Sequence, residues 1–435
     1  MLSVLFLVVV FLGSYFFLKT LKKRQIWQSL NLVNQVTGAD GEPAVVWISN
    51  SQATDGWSGD SGQVRSQVVE TMLEEAIKAL KTADSVVTAW TQILPCGNDC
   101  SGKKIAIKVN FNNSYGSGTG NNCYHDHCPT YQVINALLDQ LINKKGISPG
   151  DINVYDTSRS FPDYFNNGIS ARFSGVKLNQ YQGEGSSLSI KGTSIGRALA
   201  EADYLINMPL LRAHGMASIT LSFKNHLGST VDPSKFHGGF FGSSLSNNSL
   251  VQLNNQAAIK QKTILVVADA LYGLKNGGPN CNNGCSQDGN FFTANSLFLS
   301  TDPVAVDSVM IDYMQSVRQA GWEDERNPRI TYYTAAQNGL GNYATSCTSQ
   351  NICSFVYTNI KLVKCEDGSC SGGEPTPTSA YSQGDINLDE IVNNQDALDF
   401  FPLYRANHWL STYAPDPDGD GLVSLDDFGW IISDW

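Results

Sequence analysis

The chain has 435 residues, room for two or three domains, and 42% of them are hydrophobic, which excludes a globally disordered protein. Charged residues make up only 16% and the formal net charge is −11, so no basic surplus exists to neutralise phosphates and nucleic acid is not an expected partner. The charge is uneven: residues 384–435 hold ten Asp and Glu390 against Arg405 alone, a net −10 that leaves the rest near neutrality.

In chain order, residues 2–18 (LSVLFLVVVFLGSYFFL) are uncharged and almost wholly apolar, and Lys19, Lys22, Lys23 and Arg24 follow at once. Seventeen residues is the short limit for a spanning helix, and no small-residue cleavage site follows, so 1–24 is expected to be a membrane anchor or signal segment, with an uncleaved anchor preferred. Residues 25–42 read as a polar stalk. Strands are expected at 44–50, 104–112, 151–158, 202–209 and 262–271, and helices at 64–81 and 130–146, the latter stopped by Lys-Lys-Gly. Residues 295–319 read as a strand running into a long helix. Near-continuous apolar strands alternating with helices predict an α/β fold: a mixed, largely parallel sheet flanked by helices, over 43–365. The Gly, Ser, Thr and Pro of 366–383 predict a linker, and 384–435 a small all-α module of paired calcium loops.

The ten cysteines fall in neighbouring couples: Cys96/Cys100, Cys123/Cys128, Cys281/Cys285, Cys347/Cys353 and Cys365/Cys370. An even count in polar, Gly-rich surroundings, without a C-x-x-C, predicts short disulfide loops in an oxidising compartment. The basic residues after position 18 argue instead for a cytoplasmic body. The cysteine pattern is the more specific of the two, so a cell-surface or extracellular protein is expected, anchored at its N-terminus. CYHDHC (123–128) reads as a disulfide loop before it reads as a metal site.

Several segments carry a family resemblance: KIAIKVNFN (104–112), VYDTSRS (154–160), LINMPLLRAHGMASITLSFKNHLG (205–228), VVADALYG (266–273) and LSTDPVAVDSV (299–309). Over about 43–345 the chain resembles the family of domain of unknown function 362. Some relatives there carry ferredoxin-type cysteine runs; this chain has none, so no iron–sulfur role follows.

Within these segments Lys108 ends a buried strand, where a side chain often enters a ligand cleft. Asp156 lies at another strand end, and Arg212, His214, Lys224, Asn225 and His226 fall within fifteen residues of one another. Lys108, Asp156, His214 and Lys224 are the candidate catalytic set; Arg212, Asn225 and His226 are the candidate ligand binders. Cationic donors beside an Asp suit an anionic or hydroxylated ligand, with His214 able to move a proton near neutral pH. The bland reading is that these groups pair among themselves to satisfy a buried loop. Asp269, Asp302 and Asp307 also lie near strand ends, the first two placed to meet Asp156 at one sheet edge, and Asp302-Pro303 reads equally well as a helix start.

The acidic tail contains a repeat offset by 31 residues, DINLDEIVNNQD from Asp385 and DPDGDGLVSLDD from Asp416. Loop positions 1, 3, 5 and 12 carry Asp385, Asn387, Asp389 and Asp396, then Asp416, Asp418, Asp420 and Asp427; position 7 would offer the carbonyls of Ile391 and Leu422. That spacing wraps a calcium ion. Two such loops with Asp at position 12, each followed by a short apolar helix, resemble a type I dockerin, which implies calcium-dependent folding and a cohesin-like partner.

The lead functional reading is a surface or secreted protein with a calcium module and an α/β domain acting on a polar or anionic ligand, its enzymatic status open. The alternative is a non-enzymatic surface binding or assembly component. The first loop has Glu390 where the second has the turn Gly421. Asp416→Ala and Asp427→Ala should therefore weaken calcium binding more than Asp385→Ala and Asp396→Ala. Calorimetric titration of the chelator-treated full chain checks this; no heat at millimolar calcium overturns it.

Overall fold

The computed structural model describes residues 35–36, 42–56, 64–112, 129–278, 290–322, 326–348, 351–367 and 369–371. They belong to one compact unit, Gln35–Gly372. The apolar segment 2–18, the CYHDHC loop, Cys281 and Cys285, and every proposed calcium ligand from Asp385 to Asp427 lie outside the described residues.

Eleven strands form one sheet. They are β1 (Ala44–Ser49), β2 (Ile105–Lys108), β3 (Ile152–Tyr155), β4 (Lys177–Leu178), β5 (Tyr204–Asn207), β6 (Leu210–His214), β7 (Ser218–Thr220), β8 (Thr263–Leu274), β9 (Phe291–Ser300), β10 (Lys361–Glu366) and β11 (Ser369–Ser371). The order across the sheet is β11-β10-β1-β9-β8-β5-β2-β3-β4, with β6 beside the second half of β8 and β7 paired to β6. From β8 to β4 every neighbour is parallel, and β10 runs parallel to β1. Only β9, between β1 and β8, and the short β7 and β11 run antiparallel to their neighbours. The result is a mixed α/β fold with a largely parallel central sheet flanked by helices.

Apolar residues on both faces of each strand explain the layering, since successive side chains point to opposite sides. Ile105 and Ile107 of β2 pack into one core, Ala106 into another on the opposite face. The first core is covered by α1 (Ser66–Lys81), α2 (Val86–Ile93) and α3 (Tyr131–Asp139). In α1 the buried residues Val69, Met72, Leu73, Ala76, Ile77 and Leu80 recur at the helical spacing of three and four. The opposite face is covered beside β8 and β9 by α5 (Pro303–Arg318) and α6 (Arg329–Gln337), and beside β2 and β3 by the segment 195–259, which contains the one-turn helix α4 (Ser222–Asn225). Asp302 does cap α5, accepting from Val304 N at 2.8 Å and Ala305 N at 2.9 Å.

Three differences from the sequence reading matter. Residues 210–220 form the β6–β7 hairpin rather than a loop. The sheet continues past β1 into β10 and β11, which the expected linker at 366–383 partly covered. The spanning helix is corrected: among the described residues no helix is long and apolar enough to cross a membrane. The longest, α1 and α5, have 16 residues each, against the roughly 20 apolar residues that a bilayer needs.

Disulfides join Cys96–Cys100, Cys347–Cys353 and Cys365–Cys370. The segment carrying Cys347 is held by a buried ion pair, Arg329 Nη2 to Asp312 Oδ1 at 2.6 Å. Asp312 also accepts from Thr345 Oγ1 at 3.1 Å, Ser346 Oγ at 2.7 Å and Tyr357 OH at 3.0 Å. Asp312→Ala strands the guanidinium and these hydroxyls, and should lower unfolding stability by about 3–5 kcal/mol. The shift in denaturant midpoint measures it.

Candidate functional site

Strands β2, β3 and β5 end side by side, in register from Lys108 to Tyr155 and from Lys108 to Asn207. The chain leaving them, together with the stretch 222–229, builds the site. α4 begins where Asp307 of α5 accepts from Ser222 N at 3.0 Å, Ser222 Oγ at 2.8 Å and Phe223 N at 3.2 Å. A single 3-10 turn, His226–Ser229, carries it on.

Lys108 is fully buried. Its Nζ donates to Asp156 Oδ2 at 3.1 Å, to Asn225 Oδ1 at 3.1 Å and to the carbonyl of Val109. Three acceptors match the three hydrogens of an ammonium. Burial pulls this amine's pKa down and the Asp156 carboxylate pulls it back. The other bonds to Asp156 come from Phe111 N at 3.2 Å, Ser158 N at 3.1 Å and Ser158 Oγ at 3.0 Å. Asn225 Nδ2 donates to Asn207 Oδ1 at 2.7 Å, and Asn207 Nδ2 lies 3.0 Å from His226 Nε2. His226 thus accepts at Nε2 and bears its hydrogen on Nδ1, 3.1 Å from Ser229 Oγ, which meets Tyr155 OH at 3.0 Å. Burial lowers the His226 pKa to about 3, so the ring stays neutral.

Gly228 lies flat against the ion pair. A Cβ there would come within 2.7 Å of both Asp156 Oδ1 and Lys108 Nζ, closer than any side chain is tolerated. This glycine lets the backbone cover the pair.

Above this layer opens a cleft of 420 Å3, lined by Asn110, Asn112, Asp156, Ser158, Arg159, His214, Lys224, Asn225, His237 and apolar residues that include Met216, Leu227 and Phe240. Lys224 is 6% exposed, and among the described residues it has no carboxylate and no hydrogen-bond acceptor. Burial, with Arg159 and Lys108 nearby, lowers its pKa to about 7. Arg159 donates to the Ser158 carbonyl at 2.9 Å and to Asn112 Oδ1 at 3.3 Å, again without a carboxylate. His214 accepts at Nδ1 from Met216 N at 3.0 Å and Ala217 N at 3.3 Å, so the neutral ring carries its hydrogen on Nε2. Burial and the charges of Lys224, His237 and Arg326 lower the His214 pKa to about 2. The group that titrates near neutrality is therefore Lys224 rather than His214.

Of the seven candidates, Asp156, His214, Lys224 and Asn225 line one cleft, with Lys108 directly beneath. His226 sits behind them and lines a separate cleft of 530 Å3 around Ala44, Thr263 and Pro303. Arg212 is buried in β6 and is not on the cleft wall. Asp269 accepts from Thr130 N at 2.9 Å and Oγ1 at 2.8 Å, and Asp302 caps α5, so neither joins Asp156. Sequence reasoning missed Arg159 and His237. Arg159 had a signal, three residues after Asp156 in VYDTSRS; the lone His237 in a glycine-rich stretch had none. Among the described residues no cluster of His, Cys, Asp and Glu is placed to hold a metal ion.

Residues 105–312 match the family model described as Domain of unknown function (DUF362). The match spans β2 to most of α5, so it contains the whole cleft. No curated protein matches the chain.

The two buried lysines should respond oppositely to loss. Lys108→Ala leaves Asp156 buried without its cation and should cost about 3–5 kcal/mol. Lys224→Met removes an unpaired charge and should leave stability unchanged or raise it. The Lys224 pKa of about 7 lies below its ordinary 10.5, so its contribution to stability is full above 10.5 and is lost as pH falls through about 7. Relative to Lys224→Met, the wild type should lose stability across that window. Arg159, Lys108, His214, His237, Asp156 and Asp232 all face the cleft or its floor, and are common to both proteins. Denaturant titrations at several pH values read the difference directly.

Proposed function

We propose that the α/β body is a ligand-binding and reacting domain whose cleft takes a small, oxygen-rich anion. The observation that carries this is the unneutralised cation set. Lys224 and Arg159 meet on one wall with His237, and neither Lys224 nor Arg159 is paired to a carboxylate among the described residues. Uncompensated positive charge in a buried site is costly to the free protein and is offset when an anion enters. The cleft also lies beyond the carboxyl ends of parallel strands, where ligands of open α/β sheets bind. Asn110, Asn112, Ser158 and the Nε2 hydrogen of His214 supply the neutral polar groups that orient a ligand. Lys224, with a pKa of about 7, is the group suited to exchange a proton with the ligand or to attack it. A purely scaffolding body gives no reason to keep such a lysine without a partner among the described residues.

The setting belongs to the same reading. Three disulfides among the described residues suit an oxidising compartment, and therefore a secreted or surface protein. The repeated acidic spacing of Asp385–Asp396 and Asp416–Asp427 supports a calcium-binding, dockerin-like tail that would attach the body to a cohesin-like partner.

Thermal-shift titration of the full chain with pyruvate, citrate and inorganic phosphate tests the cleft. At least one should stabilise the wild type, and Arg159→Gln should weaken that ligand by about tenfold or more, the loss expected for a charge-assisted contact. If none of the three binds at millimolar concentration, the cleft is not an anion site.

A further inference from the structure

The protein has two buried lysines a few residues from the same cleft, and they are treated differently. Lys108 has three acceptors, one of them a carboxylate. Lys224, also buried, has none among the described residues. An ammonium in that position is expensive, whereas an uncharged amine is tolerated, and an uncharged amine is a nucleophile. Arg159 keeps its charge at any physiological pH, and among the described residues its guanidinium bonds a carbonyl and an amide oxygen. The wall thus divides its labour between a permanent cation for an anionic group and an amine free to bond carbon. His214 adds a neutral N–H on the same wall, suited to a carbonyl or hydroxyl oxygen. Met216, Leu227 and Phe240 give the cleft an apolar side for a short carbon chain.

We propose that the cleft takes a small 2-oxo acid, with its carboxylate on Arg159 and its carbonyl carbon bonded by Lys224 as an imine. This rests on the anion-cleft reading above and names the ligand class within it. In the step, Lys224 Nζ attacks the carbonyl carbon. The two amine hydrogens leave with the carbonyl oxygen as water, and C=N replaces C=O. No oxidant or further reactant is consumed. The substrate carboxylate offsets the charge that the imine acquires when protonated, in surroundings already crowded with cations. The lowered pKa of Lys224, about 7, keeps a large fraction of the amine reactive near neutrality.

The test is reductive trapping. The full chain is incubated near neutral pH with pyruvate and sodium cyanoborohydride, which reduces an imine to a stable secondary amine, and the labelled peptides are mapped by mass. Labelling should fall on Lys224 at least about tenfold above any other lysine, as expected for a selectively activated amine. It should vanish in Lys224→Met. In Arg159→Gln, about tenfold more pyruvate should be needed for the same extent of labelling. Labelling spread evenly over the lysines, or none on Lys224, overturns the proposal. If pyruvate or phosphate still raises thermal stability without labelling, the anion cleft stands and the imine falls. If neither binding nor labelling occurs, both fall.

Discussion

The arrangement of the whole site follows from one buried ion pair. Lys108 and Asp156 sit at the carboxyl ends of adjacent parallel strands, at 0% and 3% exposure. Two charges in such a place must be surrounded by complementary groups or they unfold the region. Each requirement recruits a specific piece of chain. The ammonium takes the Asn225 side chain, which fixes α4 across the strand ends. The carboxylate takes Phe111 N and Ser158, which fix the two loops leaving β2 and β3. Covering the pair takes backbone without a side chain, which is Gly228. The cleft floor is the outer surface of this satisfied unit.

Its electrostatics explain what stands on the floor. Lys108 is neutralised locally, but its charge still reaches Lys224 and His226, lowering the pKa of both. Arg159, on the loop that Asp156 anchors, adds to the positive field at Lys224 and His237. A lysine placed there is pushed toward its uncharged form by burial first, and then by the charges of Arg159 and Lys108. The bland sequence reading, that these polar groups satisfy one another, describes Lys108, Asp156, Asn225 and His226 well. It does not describe Lys224, and that difference within a single cluster separates support from chemistry.

How much of this was legible in the sequence depended on the range of the interaction involved. β1, β5 and β8 and helices α1 and α5 are set by local apolar pattern and stand close to their expected bounds. The strand read as 104–112 stops at Lys108, and beyond it Phe111 gives its N–H to Asp156 and its ring to the core, a long-range demand. The β6–β7 hairpin was hidden because its strands carry Arg212, His214 and Ser218, which look like loop residues until β6 is seen to pair with both β7 and β8. The same masking affected function. Lys108 and Asp156 were visible as strand-end charges, but their mutual pairing depends on strand order, which no local signal specifies. Arg159 was visible only as a loop arginine, and His226 looked like a ligand group although the sheet turns it inward to Asn207.

Size alone would place the ligand elsewhere. The cleft of 530 Å3 is larger than the 420 Å3 one, and it lies at the amino ends of β1 and β8, near Ala44 and Thr263. Its polar groups are mostly committed: Asp302 caps α5 and accepts from Asn342 N at 2.7 Å, Asn254 donates to the Phe223 and Leu250 carbonyls, and His226 is engaged at both nitrogens. Besides shape, a site of that kind offers a ligand the exposed Glu42 and Lys260 and the half-buried Lys81, charges that water already solvates. Among the described residues the smaller cleft offers an amine without an acceptor, an arginine bonded to neutral oxygens and a histidine whose Nε2 hydrogen has no acceptor. Binding energy comes from groups that gain partners when the ligand arrives, and in this protein those groups lie at the carboxyl edge of the sheet.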